Sequence, residues 1–293
     1  MEKINIDTLL FSGGGLKCYT ILGSLKYLFD NNIINDNFKD IKDIFYVSGS
    51  AIFTLPILIG YSIEATIQIF KSINYSIIFD INSISLESLL SSYGLKDIST
   101  FYFVPETILE RIGLNKDITL KGLYDLNKIN VHFKVMNITK DRVEYLNHIN
   151  NPDIELKKAI LMTSCVPIIF NPFKYKDSLY IDGGLMGNFP QEMISKYPNH
   201  IGIDIISTKA TLTDNEYNKC IPSNNFKDLK EYLQYLYDLY GTIYNTQESS
   251  RHIRILINGC GVDFKSLEKK LNNMYEEGYN QSKEHYKDFS ISD

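Results

Sequence analysis

The sequence predicts an α/β protein with a mostly parallel central sheet and helices on both faces. Near the start of the chain, an apolar segment at residues 8–11 leads into three consecutive glycines and then into apolar residues at helical spacing. A second apolar segment, residues 41–47, leads into a serine-containing turn and an apolar helical run. Strand, glycine turn, helix, strand, serine turn and helix is the alternation expected of a parallel sheet whose faces are covered.

The first elements each have a local signal. Residues 8–11 are predicted to form a buried strand because the segment is short and largely apolar. The helix that follows, residues 16–29, repeats apolar side chains at helical spacing. A second strand is predicted at residues 41–47. The helix after it, residues 50–59, ends at Gly60, a usual residue at a helix C-terminus.

The later part of the chain alternates in the same way. Residues 62–126 are predicted to be helical and irregular, without internal repeats. Further strands are predicted at residues 130–137, 142–146, 178–181, 201–206 and 253–257, and further helices at residues 154–163, 226–245 and 266–285. No segment rich in Pro, Gly or Ser marks a boundary. We therefore predict one domain over residues 1–293, with a core at about 7–207 and a C-terminal segment, 208–293, packed on it.

Composition and charge exclude several classes of protein. The 293 residues are 44% apolar and 22% charged, which is typical of a globular protein with a sizeable core. The net charge of −5 gives no electrostatic footprint for nucleic acid, so no nucleic-acid partner is expected. The four cysteines are widely and irregularly spaced, so neither a zinc site nor a disulfide framework is expected.

Targeting and membrane-spanning signals are not recognised in the sequence. The first residues lack the apolar core and cleavage site of a signal peptide. The longest apolar run, residues 51–60, contains Pro56 and is too short to span a bilayer, so no transmembrane segment is expected. We therefore expect a cytoplasmic protein with reduced cysteines, either free or peripheral to membranes.

Four sequence blocks, in this order, resemble the motifs of the patatin-like phospholipase family. They are residues 11–17 (FSGGGLK), 41–61, 159–167 (AILMTSCVP) and 180–190 (YIDGGLMGNFP). The first resembles the family's glycine-rich oxyanion loop, the second its strand, nucleophile turn and helix, and the fourth its Asp-Gly-Gly block. The resemblance covers nearly the whole chain and implies the family's three-layer sandwich with a mostly parallel central sheet.

The resemblance implies hydrolysis of carboxylic esters of phospholipids or related lipids at a membrane or lipid surface. In such a protein a Ser–Asp dyad performs catalysis, with Asp182 as the base of the serine. The amides of Gly13, Gly14 and Gly15 would stabilise the oxyanion, and neither a metal nor another cofactor is needed. Lys17 matches a basic position of the family loop, where it would hold the loop or meet lipid phosphate; a solvated lysine at a helix start is the alternative. An activating partner is left open.

Histidine has no part in the implied dyad. The five histidines lie in ordinary sequence contexts, and each is expected to be a surface or capping residue. They are His132, His148, His200, His252 and His285. Cys18 replaces a further glycine that is usual in the family loop, and it is expected to be a small buried residue.

The chain departs from the family at the nucleophile turn, because it contains no Gly-x-Ser-x-Gly string. In one register Ser48 is the nucleophile and Tyr46 stands where glycine is usual; this register needs no gap and is preferred. In a second register Ser50 is the nucleophile, Ile52 takes the second glycine position and the helix must be shortened by two residues. In a third, Ala51 stands at the nucleophile position.

Two functions from different classes follow from these observations. One is an active lipid acyl hydrolase, which the intact Asp182 block and glycine loop favour. The alternative is a catalytically impaired patatin-like protein that binds lipid or a partner, which the degenerate turn with Tyr46 favours. Nucleotide binding is excluded, since the glycine loop has neither a Gly-Lys-Ser/Thr string nor a complete Gly-x-Gly-x-x-Gly.

Overall fold

A central β-sheet organises the protein. The computed structural model describes residues 5–73, 86–207, 251–257 and 267–290 of the chain. The strands are β1 (Thr8–Phe11), β2 (Asp43–Val47), β3 (Gly94–Lys96), β4 (Asn130–Asn137), β5 (Arg142–Leu146), β6 (Ile168–Phe170), β7 (Phe173–Tyr175), β8 (Ser178–Asp182), β9 (His200–Ser207) and β10 (His252–Ile257). The helices are α1 (Thr20–Asp30), α2 (Ser50–Leu58), α3 (Ile63–Lys71), α4 (Leu86–Ser92), α5 (Phe103–Arg111), α6 (Leu120–Asn127), α7 (Leu156–Thr163) and α8 (Leu267–Ser290).

Within these residues, eight strands form one sheet in the order β10-β9-β1-β2-β4-β8-β7, with β5 paired on β4. Strands β10, β9, β1, β2 and β4 run parallel, whereas β5 and β8 run antiparallel to β4, and β7 to β8. The predicted fold class, α/β with a mostly parallel central sheet, is confirmed. Parallel pairing also explains why β1 is a largely apolar segment: all of its residues are buried in the middle of the sheet.

The two faces of the sheet carry cores of different size. Leu9 and Phe11 of β1 point into the larger core, which also receives side chains from α1, α2 and α7. Leu10 and Phe45 point to the other face, into a smaller cluster that contains Phe189. Side chains alternate between faces along a strand, so each strand contributes to both cores. The smaller cluster therefore fixes the segment around Phe189, which follows the Asp-Gly-Gly block, against the sheet.

Helices α1 and α8 pack at close range through two glycines. A Cβ atom at Gly23 would overlap the carbonyl oxygen of Tyr275, and one at Gly278 would overlap that of Thr20. At the same crossing, Ser24 Oγ donates a hydrogen bond to the Gly278 carbonyl oxygen at 3.2 Å. This contact anchors the last helix on the helix that follows the glycine loop.

The structure differs from the sequence prediction at several places. The predicted helix 16–29 begins as a 3-10 helix, Gly15–Tyr19, and becomes α-helical only at Thr20. Strands β3 and β6, which pair parallel as a separate two-stranded sheet, and strand β7 have no counterpart in the prediction. Each is three residues long, which is too short to show a period. The tyrosine-rich helix predicted at residues 226–245 lies outside the described residues.

Candidate active site

The strand register brings the two predicted dyad residues to neighbouring positions. Val47, the last residue of β2, pairs with Lys134 of β4. On the other side of β4, Val135 pairs with Asp182, the last residue of β8. Ser48 directly follows β2. Ser48 and Asp182 therefore lie on either side of the same two residues of β4.

Ser48 has a strained backbone conformation. Its φ of 55° lies in the left-handed region, which residues other than glycine rarely adopt. The Ser48 N–H donates to Thr163 Oγ1 at 2.9 Å, and Thr163 in turn donates to the Lys134 carbonyl oxygen at 2.7 Å. These hydrogen bonds hold the turn between β2 and α2. A strained serine on a strand-to-helix turn is the geometry of a nucleophile elbow.

Tyr46, at the first glycine position of the motif, is accommodated by the core. Its ring centroid lies 5.8 Å from that of Phe11 on β1 and 5.6 Å from that of Phe133 on β4. Burial raises the pKa of the Tyr46 phenol, so the side chain stays neutral, and its buried hydroxyl has no hydrogen-bond partner among the described residues. The tyrosine ring thus packs between aromatic side chains of the two neighbouring strands.

Ser50, at the second glycine position, has a fully engaged hydroxyl. Its Oγ donates to the Val47 carbonyl oxygen at 2.7 Å and accepts from the Val47 N–H at 3.1 Å. Ala51 lies buried inside α2. At Gly49, between Ser48 and Ser50, a Cβ atom would lie 2.7 Å from the Gly15 carbonyl oxygen of the glycine loop. Of the three registers, only the one centred on Ser48 puts its residue at the strained position.

Asp182 is buried, and one oxygen of its carboxylate is open. The residue is 3% exposed, and its Oδ1 accepts from the Gly184 N–H at 2.7 Å. Among the described residues, Oδ2 has no hydrogen-bond partner. Burial raises the pKa of Asp182 to about 6, against the opposing effects of the Ser48 hydroxyl, the Gly184 amide and the Lys134 charge. The Ser48 hydroxyl thus acts on the carboxylate, although no hydrogen bond of normal geometry joins the two among the described residues.

The glycine loop is hydrogen-bonded to the loop that follows Asp-Gly-Gly. The Gly13 N–H donates to the Asn188 carbonyl oxygen at 2.9 Å, and Asn188 Nδ2 donates to the Gly13 carbonyl oxygen at 2.9 Å. A Cβ atom at Gly13 would lie 2.5 Å from Asn188 Oδ1 and 3.0 Å from Ser48 Cβ. Within the described ranges, no acceptor takes the N–H of Gly14 or Gly15. Two unpaired amides therefore lie in the loop that adjoins Ser48.

Lys17 and Cys18 are both buried in the first turn after the glycine loop. Because Lys17 is only 4% exposed, the alternative of a solvated lysine at a helix start is wrong. Burial, with a contribution from the Asp182 charge, raises the pKa of the Cys18 thiol. The Cys18 Sγ donates to the Ser12 carbonyl oxygen at 3.7 Å. Cys18 therefore packs as a small neutral residue, as expected from the sequence.

Two polar side chains next to Ser48 and Asp182 were not identified from the sequence. Thr163 bridges the Ser48 amide and β4, and Lys134 has a buried side chain that forms an ion pair with Glu192 at 3.0 Å. Lys134 does leave a signal, since a lysine interrupts the apolar stretch of a predicted inner strand. Thr163 belongs to one of the four family-like blocks, but nothing in that block distinguishes its hydroxyl from a surface one.

The histidine prediction is wrong for His132, His200 and His252, which are buried. His132 Nε2 lies 2.8 Å from Asp43 Oδ1, near the start of β2 and β4. The Nε2 atoms of His200 and His252 lie 2.8 Å apart at the start of β9 and β10. Burial is tolerated because each ring has a hydrogen-bond partner. These pairs lie near the amino ends of the parallel strands, whereas Ser48 follows the carboxyl end of β2.

In the part of the chain that is described, no group of three or more His, Cys, Asp or Glu side chains could hold a metal ion. No helix within the same ranges combines the length and apolar character needed to cross a membrane. Cys18 and Cys165 are buried free thiols, whereas Cys220 and Cys260 lie outside the described residues.

The described residues form an α/β fold around a mostly parallel sheet, with a strained serine at a strand-to-helix turn. A model of the patatin-like phospholipase family matches residues 9–194, which is more than half of the chain. The chain therefore belongs to the patatin-like phospholipase family. The predicted resemblance to this family is therefore confirmed, and the matched region contains the glycine loop, the Ser48 turn and the Asp-Gly-Gly block.

Two viral proteins and one bacterial structure are similar to this chain. "Probable lipid hydrolase 463L" of Invertebrate iridescent virus 6 is 28% identical over 198 residues, 66% of this chain and 64% of that protein. The uncharacterized protein R571 of Acanthamoeba polyphaga mimivirus is 26% identical over 279 residues, 92% of this chain and 89% of that protein. The crystal structure of VipD from Legionella pneumophila aligns with a TM-score of 0.62 at 14% identity, over 96% of this chain and 66% of VipD.

These similarities differ in what they show. The chain spans slightly less than two thirds of the iridescent-virus protein and of VipD. The likeness to VipD shows the fold, a mixed α/β arrangement around a mostly parallel sheet. The family match shows membership of the patatin-like phospholipase family, and the name "Probable lipid hydrolase" belongs to the iridescent-virus relative.

Proposed function

We propose that the protein is a lipid acyl hydrolase that cleaves carboxylic esters of phospholipids or related lipids with a Ser48–Asp182 dyad. One observation carries the proposal: Ser48 lies at a strained turn with a φ of 55°, and its hydroxyl acts on the carboxylate of Asp182, whose Oδ2 has no hydrogen-bond partner among the described residues. Membership of the patatin-like phospholipase family and the viral relative named as a probable lipid hydrolase support lipid as the substrate class.

In this proposal Asp182 is the general base. Its carboxylate accepts the proton of Ser48 Oγ as that oxygen attacks the ester carbonyl carbon. The carbonyl oxygen becomes an oxyanion, to which the unpaired amides of Gly14 and Gly15 donate hydrogen bonds. When the tetrahedral intermediate collapses, Asp182 returns the proton to the leaving alcohol and Ser48 carries the acyl group. A water molecule deprotonated by Asp182 then releases the fatty acid and restores the serine.

The electrostatic surroundings of Asp182 suit that role. A pKa of about 6 leaves the carboxylate largely ionised at neutral pH while making it a stronger base than an exposed aspartate. Gly13 donates its N–H to Asn188, so we assign Gly13 to holding the loop and the oxyanion to the next two amides. Lys17 is buried, so we assign it to supporting the loop and not to contacting lipid phosphate.

Labelling with a fluorophosphonate tests the proposal without knowledge of the natural substrate. The wild type is expected to take the label on Ser48, located by peptide mass spectrometry, and to release fatty acid from a short-chain ester or a phospholipid. Ser48→Ala is expected to abolish labelling and to lower turnover by roughly 10⁴-fold or more, because nucleophile and base act as one unit. The matched control Ser50→Ala removes the same hydroxyl two residues away and is expected to keep the label on Ser48.

The contrary outcomes are distinct. Labelling that persists in Ser48→Ala and disappears in Ser50→Ala would move the nucleophile to Ser50. A wild type that is neither labelled nor active on any ester would contradict the hydrolase and favour a second candidate. That candidate is a catalytically impaired protein that binds lipid or a partner.

One observation favours this second candidate. Ser48 is 2% exposed and Asp182 is 3% exposed, so the dyad as it stands is closed to an ester. A lipid-binding protein would bind phospholipid vesicles without turnover, and its binding would be the same in Ser48→Ala and Asp182→Asn. Vesicle flotation with these two variants, beside the labelling experiment, separates the candidates.

A further inference from the structure

Lys134 is a buried cation beside the candidate dyad. Its side chain is 1% exposed, and it lies on β4 between Ser48 and Asp182. The Lys134 Nζ atom donates to the carbonyl oxygens of Gly187 at 3.0 Å and Met186 at 3.4 Å. Burying an ammonium group is costly unless acceptors surround it. The charged side chain of Lys134 in an inner strand therefore needs an explanation.

We infer that Lys134 is a positioning residue of the candidate active site, which fixes the Asp-Gly-Gly turn and stabilises the carboxylate form of Asp182. The inference rests on the proposed function, because it concerns the readiness of the general base. Lys134 does not touch the substrate in this scheme; it acts through Asp182.

The backbone and the side chain of Lys134 contact opposite ends of the turn. A Cβ atom at Gly183 would overlap the Lys134 carbonyl oxygen and would lie 2.8 Å from Lys134 Cγ. The ammonium group binds the carbonyl oxygens at the other end, at Met186 and Gly187. One residue thus restrains residues 183–187 from both ends, and Asp182 lies at the start of the restrained turn.

Lys134 supplies a positive charge that favours the carboxylate form of Asp182. Cys18 and Cys165 face Asp182, and burial together with the Asp182 charge raises the pKa of each thiol, so both stay protonated. Lys17 acts on Cys18, whose pKa it lowers. Burial raises the pKa of Asp182 to about 6, and the Lys134 charge opposes this. Without the ammonium, Asp182 would stay protonated over a wider pH range.

Glu192 faces Lys134 from the other side. Its Oε1 lies 3.0 Å from Lys134 Nζ and accepts from the Tyr145 hydroxyl at 2.7 Å. Burial lowers the pKa of Lys134, whereas the charges of Glu192 and Asp182 oppose that effect. Lys134 therefore lies between two carboxylates. Removing Lys134 and removing Glu192, the two members of the ion pair, should have different effects on Asp182. Loss of the ammonium disfavours the Asp182 carboxylate, whereas loss of Glu192 leaves the positive charge to Asp182 alone.

Two variants that break the same ion pair test the inference. Lys134→Met keeps most of the apolar length and removes the charge; Glu192→Gln keeps the charge. The Asp182 carboxyl is titrated by ¹³C NMR of aspartate-labelled protein, with its signal assigned from Asp182→Asn, so the measurement needs no turnover. We expect Lys134→Met to raise the pKa of Asp182 by about one unit, and Glu192→Gln to leave it unchanged or lower it. Lys134→Arg, which retains the charge, should remain close to the wild type.

The same shift should be visible in the pH profile of kcat/KM for p-nitrophenyl butyrate. A rise of about one unit from a pKa near 6 lowers kcat/KM about fivefold at roughly pH 6 and very little at about pH 8. A merely structural role for Lys134 would lower activity to the same extent at both pH values.

The inference is overturned by an unchanged Asp182 titration in Lys134→Met, or by an equal rise in Glu192→Gln. If Lys134→Met does not fold, the double variant Lys134→Met/Glu192→Gln leaves no unpaired carboxylate and carries the same expectation. Failure of the proposed function would look different. A wild type without ester turnover, whose Asp182 titration still responds to loss of Lys134, would refute the hydrolase and leave the electrostatic role of Lys134 standing.

Discussion

At the scale of single residues, the candidate site contains features that oppose folding. Ser48 holds a positive φ, and the buried carboxylate of Asp182 has one oxygen without a partner among the described residues. Such features cost free energy of folding and persist only when their surroundings fix them. The hydrogen bond from the Ser48 N–H to Thr163 is one such restraint. Strain of this kind is typical of functional positions.

The raised pKa of Asp182 predicts a pH-dependent gain in stability on its removal. An aspartate whose pKa rises from 3.8 to about 6 on folding stabilises the fold below about pH 4, and that contribution is lost as the pH rises through 6. At neutral pH the buried charge opposes folding. We expect Asp182→Asn to raise the free energy of unfolding by about 1–3 kcal/mol near pH 7 and by much less near pH 4.

Urea unfolding at the two pH values measures this difference. The matched control is Asp153→Asn, the same change at an exposed aspartate, which is expected to alter stability by less than about 0.5 kcal/mol at either pH. Equal stability of Asp182→Asn and the wild type at both pH values would show that burial does not raise the pKa of Asp182 on folding.

At the scale of elements, the sequence was informative where its periodic signal was long. Strands β4 and β5 coincide with the predicted residues 130–137 and 142–146. Strand β2 begins at Asp43 instead of residue 41, because its pairing with β1 and β4 starts there, at Thr8 and Asn130. Strands β3 and β6 escaped prediction because they pair with each other across a long stretch of chain, which leaves no local pattern. Strand β7 pairs with the next strand, β8, across a two-residue turn, but its three residues are too few to show a period.

The candidate site was predictable only where a local stretch of sequence carries the signal. Asp182 and the glycine loop stand in contiguous blocks, so the sequence alone could name them. Whether Tyr46 could replace a glycine could not be judged, since the answer depends on aromatic side chains from two other strands. The ion pair of Lys134 with Glu192 joins two segments whose register the sequence does not state.

The crossing of α1 and α8 gives a prediction at this scale. A Cβ atom at Gly23 would overlap the backbone of Tyr275, and two helix backbones cannot separate cheaply. We expect Gly23→Ala to lower the free energy of unfolding by about 2–3 kcal/mol through overpacking. The matched control is Gly122→Ala in α6, where the nearest atom to a Cβ is the Ile118 Cγ1 at 3.1 Å, in a side chain that can adjust.

Gly122→Ala is expected to leave stability unchanged or to raise it by up to about 1 kcal/mol, because alanine favours the helix. Urea midpoints followed by far-UV circular dichroism compare the two variants. Similar midpoints for both would mean that α1 and α8 are not in the close contact described here.

At the scale of the whole molecule, the sheet places distant parts of the chain against one another. Strand β1 lies between β2 and β9, so the glycine loop after it emerges beside the Ser48 turn. The loop after β8 reaches the same place and exchanges two hydrogen bonds between Gly13 and Asn188. The proposed oxyanion donors and the proposed base are therefore held in one frame by a contact between the two loops.

Loss of the Asn188 side chain tests that frame. Asn188→Ala removes the hydrogen bond to the Gly13 carbonyl oxygen, which is worth about 1–2 kcal/mol when buried. We expect the rate of fluorophosphonate labelling at Ser48 to fall by about tenfold, because the loop amides lose their fixed position. Asn150→Ala, the same change at an exposed asparagine, should label at the wild-type rate. Equal rates for both variants would argue that the loops act independently.

The position of Gly49 has a consequence for how members of this family are recognised in divergent sequences. The Gly-x-Ser-x-Gly pattern has glycine two places before and two places after the serine. Small residues at these positions are one way to avoid side-chain clashes at the turn between the strand and the helix. In this chain the crowding is relieved immediately after the serine, where the helix start meets the N-terminal loop. A sequence search that scores the glycine directly after the serine together with the glycine-rich loop would find chains such as this one. A search for Gly-x-Ser-x-Gly alone would miss them.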